Sequence, residues 1–145
     1  MGAATTGAGG QPARRAPQPE PGSLDAEFYA RAAQGRLELQ RCTRCGVLRH
    51  PPRFLCARCA SPDFEWRPVS GRGAVYSWTV THRVLDPAWG PGPYTALVVE
   101  LEEGARLVGV LRGLDPSELR IGLPVALEIE PLAGAALFYF RPREG

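Results

Sequence analysis

Four cysteines carry the clearest chemistry in this sequence. They form two C-x-x-C pairs, Cys42 with Cys45 and Cys56 with Cys59, and the 145-residue chain contains no other cysteine. A two-residue gap lets one tight turn aim both thiolates at a common point, and two such turns supply the four tetrahedral ligands that Zn²⁺ prefers. The spacing therefore predicts a structural zinc site, because four thiolates leave no coordination position for a water molecule.

Three other uses of four cysteines compete with zinc. Two disulfides are disfavoured, because the sequence lacks the apolar core of a secretory signal and a cytosol keeps thiols reduced. A redox pair needs only one C-x-x-C, so the second pair argues against it. Iron also accepts four thiolates and stays open as the alternative metal. We expect a cytoplasmic protein with no membrane partner, since no stretch approaches the roughly 18 apolar residues of a membrane span.

Candidates for catalysis are few. The only histidines are His50 and His82, and all 17 basic residues are arginines, so no lysine can form a Schiff base. His50 lies beside the cysteine pairs, whose four thiolates already fill the metal site. His82 falls on a predicted strand, where a packed or hydrogen-bonded histidine is the ordinary finding, and neither residue has a recognisable nucleophile as partner. We therefore expect no catalytic residue and no enzymatic activity from this chain alone.

Composition divides the chain into three parts. Residues 1–22 are rich in Gly, Ala and Pro and cannot bury enough apolar surface to fold, so they are predicted to be a disordered tail. Residues 23–70 are predicted to hold an N-terminal helix, capped by Ser23 or Asp25, and then the zinc ribbon. Residues 71–145 are predicted to form a β barrel. The net charge of +2 gives no electrostatic case for a polyanionic partner.

The pattern of the barrel region predicts a mainly β fold. Three strands, a short helix capped by Asp115 and two further strands match a five-stranded OB barrel, with an SH3-like barrel as the rival fold. The predicted strands are Gly73–Val84, Tyr94–Leu101, Arg106–Arg112, Val125–Glu130 and Ala136–Phe140.

The first predicted barrel strand has two distinct faces. Strict alternation would place Val75, Ser77, Thr79 and Thr81 on one face and Tyr76, Trp78, Val80 and His82 on the other. The preceding Gly71-Arg72-Gly73 indicates a bulge at the start of the strand. The barrel region is also rich in aromatics. We expect about half of them in the core and the remainder at a protein interface or stacked on nucleic-acid bases.

Several motifs in this order closely resemble the DUF35 family, over about Leu24 to Arg141. The motifs are Leu39-Gln40-Arg41-Cys42-Thr43-Arg44-Cys45-Gly46, Pro51-Pro52-Arg53, Cys56-Ala57-Arg58-Cys59, Gly71-Arg-Gly-Ala-Val-Tyr-Ser-Trp-Thr-Val, Pro93-Tyr94 and Val99-Glu100-Leu101-Glu102-Glu103-Gly104. The resemblance implies a rubredoxin-like zinc ribbon joined to an OB fold. It also implies an accessory role in acyl-CoA metabolism, in which a thiolase-like partner carries the catalytic residues.

The resemblance implies partners and settings as well. Members of this family stabilise thiolases or thiolase-like lipid-transfer-protein enzymes, some accompany MaoC-like hydratases, and known settings include retro-aldol shortening of steroid side chains. We expect a heterotetramer, with two copies of this chain on a thiolase-like dimer. Where ribbon and barrel enclose a ligand path, Arg49 and Arg53 are predicted to bind CoA phosphates. Trp78 and His82 are predicted to border the pantetheine arm or to contact the partner enzyme.

A single-stranded nucleic-acid-binding module is the competing function, because zinc ribbons and OB folds also serve that role. A basic groove should accompany such binding. The low net charge and a group of acidic side chains argue against a nucleic-acid partner and favour the acyl-CoA hypothesis. The acidic side chains are Glu100, Glu102, Glu103, Glu128 and Glu130.

Overall fold

The computed structural model describes residues 18–86 and 90–144. One helix, α1, spans Leu24–Ala32, and the Oγ of Ser23 accepts a hydrogen bond from the backbone N–H of Ala26 at 3.1 Å. Ser23, one of the two N-cap residues predicted from the sequence, therefore caps the helix. The helix buries Phe28 and Ala32. Its Glu27 accepts a hydrogen bond from the indole N–H of Trp66, which ties the helix to the ribbon.

The ribbon sheet has three short antiparallel strands in the order β2-β1-β3. They are β1 (Glu38–Cys42), β2 (Leu48–Arg49) and β3 (Phe64–Pro68). Gln40 pairs with Arg49 on one side and with Trp66 on the other, so β1 is the central strand. Because β1 ends at Cys42, the sheet fixes where the first metal-binding turn begins.

Five strands close into a barrel in the order β4-β5-β6-β8-β7. They are β4 (Arg72–Thr81), β5 (Tyr94–Leu101), β6 (Arg106–Leu111), β7 (Pro124–Leu132) and β8 (Ala135–Pro142). All neighbours are antiparallel except β6 and β8, which run parallel. A 3₁₀ turn at Pro116–Glu118, capped by Asp115, separates β6 from β7. The mainly β fold and the five-stranded OB barrel are thus confirmed.

A bulge in β4 changes the faces that strict alternation predicted. Val75 pairs with Val99, but the next pair joins Ser77 to Val98, so Tyr76 has no partner of its own on β5. The extra residue moves Trp78, not Ser77, to the side of the sheet that carries Val75. The two-face prediction was therefore wrong beyond Tyr76, because an inserted residue reverses the alternation.

Gly73, the second residue of β4, does not form the bulge expected at the start of this strand. Gly73 pairs in regular register with Leu101 and with Val125. A Cβ atom at this position would lie 2.3 Å from the carbonyl oxygen of Glu100. Glycine is therefore required here for close approach of the two backbones, and the bulge falls three residues later.

The hydrophobic core extends from the barrel into the helix and the ribbon. Val75, Leu97 and Phe140 are fully buried in the barrel, and the same cluster includes Phe28 of α1 and Leu39 of β1. The rings of Phe28 and Phe138 lie 5.8 Å apart, so the helix packs directly on β8. This continuity holds the ribbon against one side of the barrel.

The predicted tail falls mostly outside the described residues, which begin at position 18. Within the described part, the side-chain amide of Gln18 donates a hydrogen bond to the carbonyl oxygen of Ala133, in the turn between β7 and β8. Trp89 also lies outside the described residues. Over residues 18–86 and 90–144, no helix has the length and apolar content needed to cross a bilayer.

Candidate metal centre

Both cysteine pairs sit on the same kind of turn. The N–H of Gly46 donates to the carbonyl oxygen of Cys42 at 2.9 Å, and the N–H of Ala60 donates to that of Cys56 at 2.8 Å. The residue after each second cysteine has a positive φ, +78° at Gly46 and +58° at Ala60. A left-handed residue closes each turn and brings its two thiols to the same side.

The four sulfur atoms converge on one point. All four Sγ atoms lie within 4.8 Å of one another, and Cys42 lies 3.6 Å from Cys59 just as Cys45 lies 3.6 Å from Cys56. Tetrahedral coordination with zinc–sulfur bonds of about 2.3 Å requires sulfur atoms about 3.8 Å apart. Cysteine sulfur is also a preferred ligand type for this metal. The residues present therefore fit a tetrahedral metal ion.

Hydrogen bonds prepare the first cysteine of each pair for metal binding. The backbone N–H of Cys45 donates to the Sγ of Cys42 and, with the Arg49 side chain, lowers the pKa of that thiol to about 5 against the opposing effect of burial. The backbone N–H of Cys59 likewise lowers the pKa of Cys56. These bonds favour the thiolate, which is the form that binds metal.

Arg49 forms a buried brace beneath the metal centre. Its side chain is only 4% exposed, and its guanidinium donates to the carbonyl oxygens of Ser61 and Asp63, both at 2.9 Å, and more weakly to that of Arg53 at 3.4 Å. Arg49 thereby links β2 to the segment that follows the second cysteine pair. To contact a CoA phosphate, this guanidinium would have to break its hydrogen bonds to the three carbonyl oxygens.

Gln40 holds the loop between the two cysteine pairs. This side chain is fully buried, and its Oε1 accepts a hydrogen bond from the backbone N–H of Arg53 at 2.7 Å. The backbone of Arg53 is therefore fixed at both ends, by Gln40 at its N–H and by Arg49 at its carbonyl. The Arg53 side chain itself is exposed.

The predicted ligand-path residues fall into two separate groups. Arg49 and Arg53 line a shallow cavity of about 210 Å³ in the ribbon. Its other lining residues are Val47, Leu48, His50 and Ala57. Trp78, which is 38% exposed on β4, and His82, which is exposed just beyond that strand, do not line this cavity.

His50 is packed against the helix. Its ring centroid lies 5.1 Å from that of Phe28, and its Nδ1 has no hydrogen-bond partner among the described residues. Burial lowers the pKa of His50 to about 4, against a smaller opposing effect of Asp25. The residue is therefore neutral near pH 7 and serves the contact between ribbon and helix.

Comparison with known proteins follows the two parts of the fold. Residues 30–65 match the ChsH2 rubredoxin-like zinc ribbon domain, and residues 66–130 match the ChsH2 C-terminal OB-fold domain. A chain of the solved Ltp2-ChsH2(DUF35) aldolase superposes with a TM-score of 0.76 and 40% sequence identity, over 86% of this chain and 98% of that one. The chain belongs to the DUF35 family.

Some curated relatives of this DUF35 chain are named as subunits of acyl-CoA enzymes, and others as DUF35 domain-containing scaffold proteins. The probable enoyl-CoA hydratase alpha subunit of Thermomonospora curvata is 41% identical over 127 residues, which are 87% of this chain but only 40% of that protein. The benzoylsuccinyl-CoA thiolase subunit BbsA of Thauera aromatica is 31% identical over 109 residues, 75% of this chain and 72% of that protein. The DUF35 chain thus spans about two fifths of the hydratase subunit and most of the thiolase subunit.

The structural roles of three residues at the DUF35 metal centre did not follow from the sequence. Gln40 and Arg49 are buried polar side chains on strands that looked ordinary, and Ala60 is a non-glycine residue at a positive φ. Only Ala60 had a readable signal, because it stands in the second turn where Gly46 stands in the first.

Proposed function

We propose that this DUF35 chain is a non-catalytic accessory subunit that binds and stabilises a thiolase-like acyl-CoA enzyme. The observation that carries the proposal is the 40% identity over 98% of a DUF35 chain whose complex is named an aldolase. The BbsA relative, named a thiolase subunit, supports the same partner class. The relative named a hydratase alpha subunit supports a MaoC-like hydratase as the alternative partner.

The metal centre supports a structural role in this assembly. Four convergent thiolates satisfy a zinc ion completely, so the metal would hold the ribbon in shape. We propose one zinc per chain, bound by Cys42, Cys45, Cys56 and Cys59, in a reducing compartment such as the cytoplasm. Elemental analysis of protein purified without added metal tests this. One equivalent of zinc supports the proposal, and one equivalent of iron contradicts it.

The substrate class follows from the partner. Of the settings that the family resemblance implies, retro-aldol shortening of a steroid side chain is the one that an aldolase performs, so we propose a steroidal acyl-CoA as the substrate of the complex. Within that complex we propose that Arg53 contacts a CoA phosphate, since its guanidinium is exposed beside the ribbon cavity. Trp78 and His82 would border the pantetheine arm only where the partner completes that surface.

Co-expression with a thiolase-like subunit from the same genome tests the proposed function. We expect a stable complex with two copies of each chain by size-exclusion chromatography with light scattering. Separate elution of the two proteins at micromolar concentration would contradict the accessory role. Tight, salt-sensitive binding of single-stranded DNA by the chain instead would support the nucleic-acid alternative.

Acyl-CoA titration of the complex tests the predicted CoA contact separately. Arg53→Ala should weaken binding of the acyl-CoA about tenfold, because one charge-assisted hydrogen bond is lost. Arg120→Ala is the matched control, since Arg120 is an exposed arginine near the 3₁₀ turn of the barrel. Equal affinity in both variants would remove the phosphate role of Arg53.

A further inference from the structure

The charges of this chain are strongly segregated. Residues 39–62, which include both cysteine pairs, contain five of the 17 arginines and none of the 15 carboxylates. That segment therefore carries a formal charge of +5, and the rest of the chain carries −3. Zinc on four thiolates would reduce the segment to +3, so the ribbon stays basic in the metal-bound protein.

The ribbon arginines differ from most of the others in their pairing. Eight arginines outside that segment, and Arg41 at its start, form ion pairs with carboxylates. Within residues 18–86 and 90–144, Arg44, Arg53 and Arg58 form none. Arg44 and Arg58 occupy equivalent positions, each directly before the second cysteine of its pair, and both are exposed. The metal centre thus presents a pair of unneutralised guanidinium groups.

Two large apolar side chains project from the same segment. Phe54 is 77% exposed and Leu55 is 56% exposed, directly before Cys56. Their loop is held on both sides, by the hydrogen bonds of Arg53 to Gln40 and Arg49 and by the metal-binding turn that starts at Cys56. The loop therefore pays little ordering entropy on association, which is a main cost of forming an interface.

An exposed aromatic and aliphatic pair in a segment that also carries exposed arginines has the composition of an interface hot spot. Aromatic residues and arginine are enriched at such sites, and a buried anchor residue surrounded by polar contacts carries most of the binding energy. A nucleic acid fits this surface less well, because the remainder of the chain is net negative and would repel a long polyanion.

We propose that Phe54 and Leu55 form an anchor that inserts into an apolar pocket of the acyl-CoA enzyme subunit, and that Arg44 and Arg58 contact carboxylates at the rim of that pocket. This inference rests on the proposed function and adds the docking surface and the chemistry of the partner's side. Charge complementarity would select this face for docking. The acidic rim of the partner's pocket attracts the basic ribbon segment and repels the net negative remainder of the chain.

Two double variants test the anchor and the rim. Phe54→Ser with Leu55→Ser should raise the dissociation constant for the purified thiolase-like subunit at least 30-fold, and Arg44→Glu with Arg58→Glu should raise it about tenfold and reduce its salt dependence. Arg120→Glu with Ile121→Ser is the matched control, because Ile121 is 65% exposed beside an exposed arginine on the barrel. We expect the control to change affinity less than twofold.

Zinc content and the unfolding midpoint establish that each variant is folded. The rim variants should keep their metal, because the backbone N–H groups of residues 44 and 58, not their side chains, bond to the cysteine sulfurs. Wild-type affinity in either zinc-loaded double variant would overturn the inference while leaving the proposed function intact. Absence of any complex with the wild-type chain would instead overturn the proposed function itself.

An oligonucleotide control separates the two partner classes. If the wild type bound a single-stranded DNA 20-mer tightly, the rim variant lost that binding, and its affinity for the enzyme subunit stayed unchanged, the basic surface would belong to a nucleic acid and the inference would fail.

Discussion

Replacing Arg49 by methionine tests whether this arginine is a structural brace. Methionine keeps much of the apolar length of the side chain and removes its charge and its hydrogen bonds. The change deletes two 2.9 Å bonds, to the carbonyl oxygens of Ser61 and Asp63, in a place where Arg49 is 4% exposed. Each hydrogen bond from a charged donor contributes about 1.5–3 kcal/mol.

Two features make the expected loss of stability smaller than the sum of these two hydrogen-bond contributions. The Ser61 carbonyl also accepts from the N–H of Cys56, and the Asp63 carbonyl accepts from the N–H of Thr43, so neither loses its only partner. Removing a buried charge also removes its desolvation cost. We therefore expect Arg49→Met to lower the free energy of unfolding by about 3 kcal/mol. Arg53→Met should change it by about 0.5 kcal/mol or less, because that side chain is exposed.

Urea denaturation at a fixed free zinc concentration provides the measurement, since a metal that binds only the folded state shifts apparent stability by mass action. Trp66 in β3 reports on the ribbon through its fluorescence. Release of zinc to a chelating dye should also be faster in Arg49→Met than in Arg53→Met. Equal stability losses in the two variants, or a loss below 1 kcal/mol in Arg49→Met, would refute the brace.

Three further predictions concern the turns, the pH dependence and the metal. Gly46→Ala should destabilise the protein by about 1 kcal/mol and Ala60→Gly should stabilise it by about 0.5 kcal/mol, since only a non-glycine residue is strained at a positive φ; opposite signs in urea unfolding would contradict this. Because the pKa of His50 is about 4 in the folded protein and about 6.5 in the unfolded chain, the unfolded state binds more protons between those values. Stability should therefore be complete above pH 6.5 and fall by about 2 kcal/mol on going to pH 5, and His50→Phe should lack this decrease; parallel pH profiles would show that His50 is not responsible. Removing the metal with a chelator should abolish ribbon structure while barrel strands persist, measured by amide hydrogen exchange; uniform loss of protection would contradict separate stabilisation of the ribbon.

Much of the strand arrangement of the barrel could be predicted from the local sequence pattern. Strand β5, at Tyr94–Leu101, has the predicted bounds, because a Gly/Pro segment precedes it, an acidic turn follows it and every second residue from Thr95 to Leu101 is buried. The predicted β4 ended three residues beyond the observed C-terminal end of the strand. The predicted assignment of side chains to its two faces was wrong beyond Tyr76. That bulge depends on how two distant strands meet, and a single strand's sequence does not contain that information.

The metal centre shows the same division between local and non-local features. Its four ligands follow from spacing alone, since each pair lies within one turn. The burial of Arg49 and Gln40 does not, because it depends on how β1, β2 and the segment after Cys59 come together. A polar residue on a short strand is usually exposed, so the sequence suggested that Arg49 binds a CoA phosphate, whereas the structure buries its side chain against the carbonyl oxygens of Ser61 and Asp63.

Acyl-CoA turnover by separated and combined subunits tests the central claim most directly. Cleavage of a steroidal acyl-CoA, or its condensation, should be measured for the purified DUF35 chain, for the thiolase-like subunit and for their complex. We expect no turnover by the DUF35 chain and a higher rate for the complex than for the partner alone. Robust turnover by the isolated, zinc-loaded DUF35 chain would contradict this expectation.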